Sequence, residues 1–421
     1  MLKSSIEFIK KQKQLSNFVT YGVGQGFNLV TPILVVPYLV SICGEEGYGK
    51  IGVGLAISFF LMVFIDYGSD ILGVKEVAVN RENKEKLENI FITIYSAKLV
   101  LVCLVLVFAS LLFYTIPFFA HEKQLFFLSL PILIGQFINP TWFLQGLENF
   151  KWITILNIIS KVIYVLGIFL FIHNPGDYIY NNLFWGIGMI IANSFVFIYL
   201  LNQHSYSFKK ATVSEVKSYL RSNFSMFTSQ IFVSLQMYSP IVLISLFGNN
   251  SMAGQYKIID QIIVIFRTYI ILFFNFVFPR VCYLLDKSKE EGLRFWKKVN
   301  GLNFVFIVIS MVLIFCFSIQ IVSYFKPKSI LEISNLLKIA LCIPILQSLV
   351  QPSKQLMLAW NKQKKYIQAT MSITVITLML IAGLSPFFKV LGAIISLIIS
   401  EILTLSIFVY YIKNKLFNRS S

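Results

Sequence analysis

Seven basic side chains stand inside segments otherwise rich in Ile, Leu, Phe and Val: Lys50, Lys98, Lys161, Lys257, Arg267, Lys338 and Lys354. The principal acids in the same setting are Asp66, Asp70, Asp260 and Glu401. At the centre of a lipid-embedded helix each charge costs about 2.5–3.5 kcal/mol on insertion scales, so these groups must face water or one another. Lys50, Lys257 and Lys338 lie within a turn or two of a segment end, where a long side chain can snorkel. Lys98, Lys161 and Arg267 lie too deep for that. An excess of buried positive charge suits an anionic ligand, most naturally a phosphate or diphosphate. Lys holds such a group as a point charge and Arg by paired hydrogen bonds. The candidate anion binders are therefore Lys98, Lys161, Arg267 and Lys354, with Lys50 and Lys257 beside them.

Helical spacing groups these residues with other polar ones. Lys257, Asp260, Gln261, Arg267, Thr268 and Asn275 share one face, whereas the outward face of that segment is Phe and Ile. Asn17, Tyr21, Gln25, Asn28 and Thr31 form a second stripe, Asn157, Ser160, Lys161 and Tyr164 a third, and Gln347, Gln351, Lys354 and Gln355 a fourth. Such stripes, with Ser225, Ser229 and Gln236, can enclose one wet chamber, in which Gln25 and Asn28 are further binding candidates. Interhelical hydrogen bonds account for many of the Ser, Thr and Asn residues, but not for the excess of cations. Asp260 either neutralises its basic neighbours or takes part in coupling. Glu401 stands mid-way along an apolar segment, where it must be protonated, paired or ion-bound; with Thr374 and Thr377 as expected neighbours it is the candidate site for a coupling proton or sodium ion. No other cofactor and no metal is expected.

The elements that position these groups follow from composition. A chain that is 57% hydrophobic, with 41 Phe and only 13% charged residues, cannot build the polar shell of a soluble domain; its mean hydropathy is +0.75. Cutting the apolar runs at about 20 residues per bilayer crossing predicts twelve helices. They are Phe18–Ile42, Gly47–Gly68, Asn89–Phe113, Leu125–Leu144, Trp152–Ile172, Ile179–Leu201, Ser222–Phe247, Met252–Phe278, Asn300–Tyr324, Ile333–Trp360, Tyr366–Leu384 and Val390–Lys413. Most of the 36 Lys and Arg fall at the chain ends or in every second gap, including Lys3, Lys10, Lys11 and Lys13, and the other side holds only Lys123, Lys326, Lys328 and Lys389. Both termini are thus expected in the cytoplasm. The net charge of +17 reads as topology and attraction to anionic lipid, and no nucleic-acid partner is expected because the charge forms no single basic face.

The first apolar run is too long for a cleavable signal peptide. The five Cys are scattered and read as packing residues, with no disulfide framework. No loop is large enough to house a catalytic site, and no phosphate-binding G-x-x-x-x-G-K-[ST] loop occurs. The Gly22, Gly24, Gly26 cluster lies inside a helix with no preceding strand, so it reads as close helix packing rather than dinucleotide binding. Six helices per half means parallel repeats. A faint echo supports this: Gly44-Glu45-Glu46 with Gly49 resembles Gly248-Asn249-Asn250 with Gly254. The expected organisation is an N-terminal lobe 1–201, a basic linker 202–221 and a C-terminal lobe 222–421.

Particular stretches resemble those of bacterial polysaccharide-export flippases of the O-antigen (Wzx) type. They are Pro37-Tyr38-Leu39, Gly44, Tyr48-Gly49, Asp66-Tyr67-Gly68, Lys75-Glu76-Val77-Ala78, Trp142 to Glu148, and Gly254-Gln255-Tyr256. The resemblance implies the multidrug/oligosaccharidyl-lipid/polysaccharide exporter superfamily: an all-α integral membrane protein of the bacterial inner membrane, with two six-helix lobes in a V and alternating access. It implies a flippase, not an enzyme, that moves an undecaprenyl-diphosphate-linked oligosaccharide repeat unit, with a polysaccharide polymerase and chain-length regulator as partners and a monomeric carrier. It further implies gating at Asp66 and Gly68, with Trp142 and Glu148 setting a helix end and a lobe contact. Two alternatives are weighed. A multidrug exporter of the same fold would want cavity carboxylates for organic cations, and here cations predominate. A membrane polymerase or ligase would want a large outer loop, and none is present.

Overall fold

The computed structural model describes the backbone of residues 2–204, 211–360 and 362–417 and the side chains of residues 22, 24, 26–203, 211–360 and 362–413. All regular structure among the described residues is helical. In hydrocarbon every backbone N–H and C=O must be satisfied within its own segment, and helices do this without an edge.

The first half contains α1 (Leu2–Asp66), α2 (Val74–Asn80), α3 (Lys84–Thr115), α4 (Pro117–Ala120), α5 (Lys123–Leu128), α6 (Leu130–Ile138), α7 (Thr141–Gly146), α8 (Phe150–Phe171) and α9 (Tyr180–His204). The second contains α10 (Val213–Phe247), α11 (Asn250–Lys287), α12 (Lys289–Cys316), α13 (Ser318–Tyr324), α14 (Ile330–Ala340), α15 (Cys342–Ala359) and α16 (Gln363–Phe417). Local chemistry marks several starts. The Asn83 side chain accepts from the Lys86 N–H at 3.0 Å, and that of Asn249 from the Met252 N–H at 2.9 Å.

Among the described residues ten helical stretches are long and apolar enough to cross a membrane, where the sequence reading expects twelve. The difference has a physical origin. The first two expected spans run together in α1, interrupted only by Gly44 at φ 70°, and the last two run together in α16, interrupted only by Lys389 at φ 54°. A single residue of positive φ kinks the helix without a loop, so hydropathy separates what the backbone nearly joins.

The chain forms two compact units, one of residues 1–43 and 54–234, the other of residues 44–53 and 235–421. In the first, α6 and α8 pack along α9. Phe91, Ile94 and Tyr95 of α3, Trp142 and Phe143 of α7, Leu156 of α8 and Val196 of α9 form its aromatic-rich core. On α3, Leu104, Val107 and Leu111 are exposed, while Ile94, Ala97, Lys98, Val105 and Ala109 are buried. Lys98 therefore lies on the inward stripe.

In the second unit α15 packs on α16 and α11 on both α12 and α15. Leu356, Met357, Ile373 and Phe408 make a core with Trp296 against it. Here the two echo stretches meet. A Cβ on Gly49 would collide with the carbonyl of Asn250, and one on Gly254 with the carbonyl of Glu45. The carbonyl four residues before each glycine thus lies over the glycine of the other helix. The pairing is reciprocal, and it needs glycine at both positions.

Candidate functional site

The first unit holds two deep lysines in different settings. Asp66 ends α1, and Tyr67 and Gly68 follow with φ 45° and 81°, turning the chain into a short π-helix, Ser69–Gly73. This turn aims the Asp66 carboxylate at Lys98, whose ammonium donates to Oδ1 at 3.0 Å, while Gln136 of α6 donates to Oδ2 at 2.7 Å. Lys98 is 1% exposed. Nearby, Gln230 of α10 donates to both oxygens of Asp70 at 2.8 and 3.0 Å. Surrounding protein, and then the Asp66 charge, push the Asp70 carboxyl above the usual carboxylate range, opposed by Gln230 and Lys98.

Lys161 of α8 has another environment. Its ammonium lies 3.5 Å from the centroid of the Trp185 ring of α9. No carboxylate among the described residues pairs with it. Trp185 is held at its edges by Tyr164, at 5.0 Å and T-shaped, and by Phe59, at 5.7 Å. Tyr164 is itself fixed, since its hydroxyl donates to Asn181 at 2.9 Å. Asn181 donates to Asn182, and Asn182 to the Ser129 hydroxyl, both at 2.9 Å.

The second unit gathers Lys257, Arg267 and Asp260. Lys257 reaches Asp260 at 3.4 Å and Arg267 reaches it at 3.7 Å, so one carboxylate serves two cations and a positive charge is left over. Lys354 of α15 lies between Phe274 of α11 at 5.3 Å and Tyr366 of α16 at 5.0 Å, and Lys338 lies over Phe315 at 5.5 Å. Lys50 pairs with the exposed Glu46 at 2.9 Å. Glu401 accepts from Gln347 at 2.9 Å. Thr377, expected beside it, instead donates to Ser400 at 2.7 Å, and Gln236 donates to that same hydroxyl at 3.3 Å.

Within each unit, then, the structure brings together Lys98 with Asp66, and Lys257 and Arg267 with Asp260, and it pairs Lys161 with no acid among the described residues. Asn28 is half-buried; Gln25, with Asn17 and Tyr21, lies outside the described side chains. The sequence reading missed four partners: Gln136 under Asp66, Trp185 under Lys161, Gln230 on Asp70, and the cluster in which Glu45 accepts from the Ser329 N–H and hydroxyl at 2.8 and 2.6 Å. Gln136 leaves a trace in the sequence as a lone amide in the run Leu130–Ile138. Trp185 leaves none. In the Trp142–Glu148 stretch, Trp142 is buried in the core, and Glu148 follows the end of α7 at φ 58° and pairs with Arg81 at 3.4 Å. A cavity of about 730 Å³ in the first unit, lined by Glu76, Glu85, Glu88 and Glu215 beside Lys86, has the wrong sign for an anion.

This all-helical fold is shared with solved transporters. The structure described as lipid II flippase MurJ in an inward closed conformation matches with a TM-score of 0.76 at 14% identity, covering 94% of this chain and 87% of that one. An inward-facing multidrug resistance MATE family transporter of the MOP superfamily matches with a TM-score of 0.73 at 14% identity, over 94% and 95%. These likenesses define the fold, that of the MATE and MurJ structures. The chain belongs to the family described as polysaccharide biosynthesis protein, which it matches over residues 15–284. A protein of Escherichia coli (strain K12) named "Putative O-antigen transporter" is 23% identical over 94% of this chain and 96% of its own length. One of the same name from Shigella dysenteriae is 24% identical over 65% and 67%. The resemblance to O-antigen-type flippases read from the motif stretches is thereby borne out. So is the reading of a multi-pass bacterial inner-membrane transporter of polysaccharide biosynthesis instead of an enzyme.

Proposed function

We propose that this chain is a flippase for undecaprenyl-diphosphate-linked oligosaccharide repeat units, carrying the sugar head group across the bacterial inner membrane by alternating access along a cationic path. The observation that carries this reading is the surplus of cations over carboxylates inside the spans. Among the described residues Lys161 and Lys354 have aromatic rings but no acid, and Lys257 and Arg267 share a single Asp260. A diphosphate entering hydrocarbon alone would lose its water without return, and positioned ammonium and guanidinium groups replace that water.

The breaks at Gly44 and Lys389 support twelve crossings, since residues on both sides of each are numerous enough to span. An even number with the basic gaps on one side leaves both termini cytoplasmic. In this reading the lobes are 1–201 and 222–421 joined by 202–221, and the carrier is a monomer. Lys50, Gln25 and Asn28 complete the path, and the sealed Lys98–Asp66 pair belongs to its gate. Glu401, held only by Gln347 among the hydrogen bonds described for it, is the site for a coupling proton or sodium ion. A polymerase and a chain-length regulator receive the product.

The test is reconstitution into liposomes with a defined lipid-linked oligosaccharide, scoring head-group accessibility from outside with and without an ion gradient. Wild-type protein should equilibrate the lipid across the bilayer. Lys161→Gln and Arg267→Gln, inserted at normal abundance, should each lower the rate at least about tenfold, the loss of one charge-assisted contact. Wild-type rates in both variants overturn the reading.

A further inference from the structure

The Lys161 ammonium stacked on Trp185 is an arrangement whose energy does not close by itself. A cation–π contact yields less than an ammonium within a span costs. Among the described residues no carboxylate makes up the difference. An arriving anion would therefore draw the ammonium off the ring, and lysine suits that movement because it is a compact charge on a flexible four-carbon stem.

The ring beneath does not share this freedom. Tyr164 and Phe59 grip its edges, and Tyr164 is locked through Asn181, Asn182 and Ser129, the two asparagines being fully buried. Lys161 and Trp185 themselves remain partly exposed. When the ammonium leaves, a rigid, flat, apolar face is uncovered beside the bound anion. Rigid aromatic faces bind flat apolar surfaces at little entropic cost, and the C–H face of a pyranose is such a surface.

Resting on the flippase reading above, we infer that Lys161 and Trp185 form a two-part receptor in which the ammonium takes the diphosphate and the indole face it vacates takes the sugar joined to that diphosphate. Trp185 is then a specificity residue: it distinguishes a glycosylated carrier lipid from the bare one.

The experiment uses purified full-length protein and three probes: undecaprenyl diphosphate, the same lipid bearing one N-acetylglucosamine, and inorganic diphosphate. Affinities are read by calorimetric titration, and the Trp185 signal by the fluorescence difference between wild type and Trp185→Phe. The glycosylated lipid should bind wild type about 3–10-fold more tightly than the bare lipid, corresponding to one aromatic contact, and should change the Trp185 emission. Trp185→Leu should lose that gain while still binding the bare lipid, and Trp185→Phe should keep most of it. Inorganic diphosphate should compete with both lipids, and competition should be lost in Lys161→Gln. Equal affinity of wild type for the two lipids, an undiminished gain in Trp185→Leu, or undiminished competition in Lys161→Gln overturns this inference while leaving the flippase reading intact. If folded wild-type protein binds neither lipid, both fall.

Discussion

Lys98 and Lys161 lie in the same unit, on apolar helices and at similar depth in their segments, yet they are different objects. Lys98 is sealed, paired with Asp66 at 3.0 Å and 1% exposed. Lys161 is half-buried, rests on Trp185 and has no acid beside it among the described residues. A buried ion pair adds little net stability but makes each partner indispensable to the other. An unpaired cation is the reverse, dispensable to the fold and available to a ligand. Depth in the membrane does not separate the two, but the counter-charge does.

The largest expected effect comes from breaking the sealed pair. Asp66→Asn leaves the Lys98 ammonium buried without its carboxylate, which should cost about 3–5 kcal/mol. Folded abundance in the membrane and the melting temperature in detergent should both fall sharply. Asp66→Asn with Lys98→Met should recover most of the loss, because a buried pair replaced by uncharged groups is often close to neutral. If the single variant is as stable as wild type, Lys98 is solvated and the contrast with Lys161 disappears.

A second variant sharpens the contrast by turning one lysine into the other. Trp185→Glu gives Lys161 a carboxylate where it now has a ring. Abundance should fall, because the packing of Tyr164 and Phe59 on the ring is lost and an ion pair adds little net stability in return; translocation per folded protein in liposomes should drop at least about tenfold as the ammonium is withdrawn from the anion. Undiminished translocation would show that an unneutralised Lys161 is not needed.

The residues that separate these sites were unequally legible in the sequence. The helical fold, the motif stretches and the deep cations could be read because each depends on composition or on 3.6-residue spacing along one segment. The echo of Gly49 in Gly254 was readable for the same reason, although its meaning, two backbones packed glycine to carbonyl, is visible only in the fold. The pairings were not legible. Asp66 finds Lys98 32 residues away and Gln136 70 residues away, and Trp185 reaches Lys161 from another helix, so no periodicity within a segment encodes them. The merged helices at Gly44 and Lys389 were hidden for a different reason: hydropathy and charge mark a gap between two spans but not that a single residue of positive φ makes it.

The smallest effect belongs to Asp70, which shares the Asp66 turn without sharing its ammonium. Its carboxyl is raised because protein packs around it and Asp66 repels its charge, against the pull of Gln230 and Lys98. An acid whose folded-state pKa lies above its unfolded value of about 3.9 binds its proton more tightly when folded. It therefore favours the folded state fully below the unfolded pKa, and that contribution is lost as pH rises through the raised value. Because Asp70 also reaches solvent, screening keeps the contribution small. Melting temperatures followed from pH 4 to pH 7 should thus decline slightly less for Asp70→Asn than for wild type, with little change in abundance. A steeper decline in the variant would mean that Asp70 is stabilised as the anion, and that Lys98 serves both carboxylates of the turn instead of Asp66 alone.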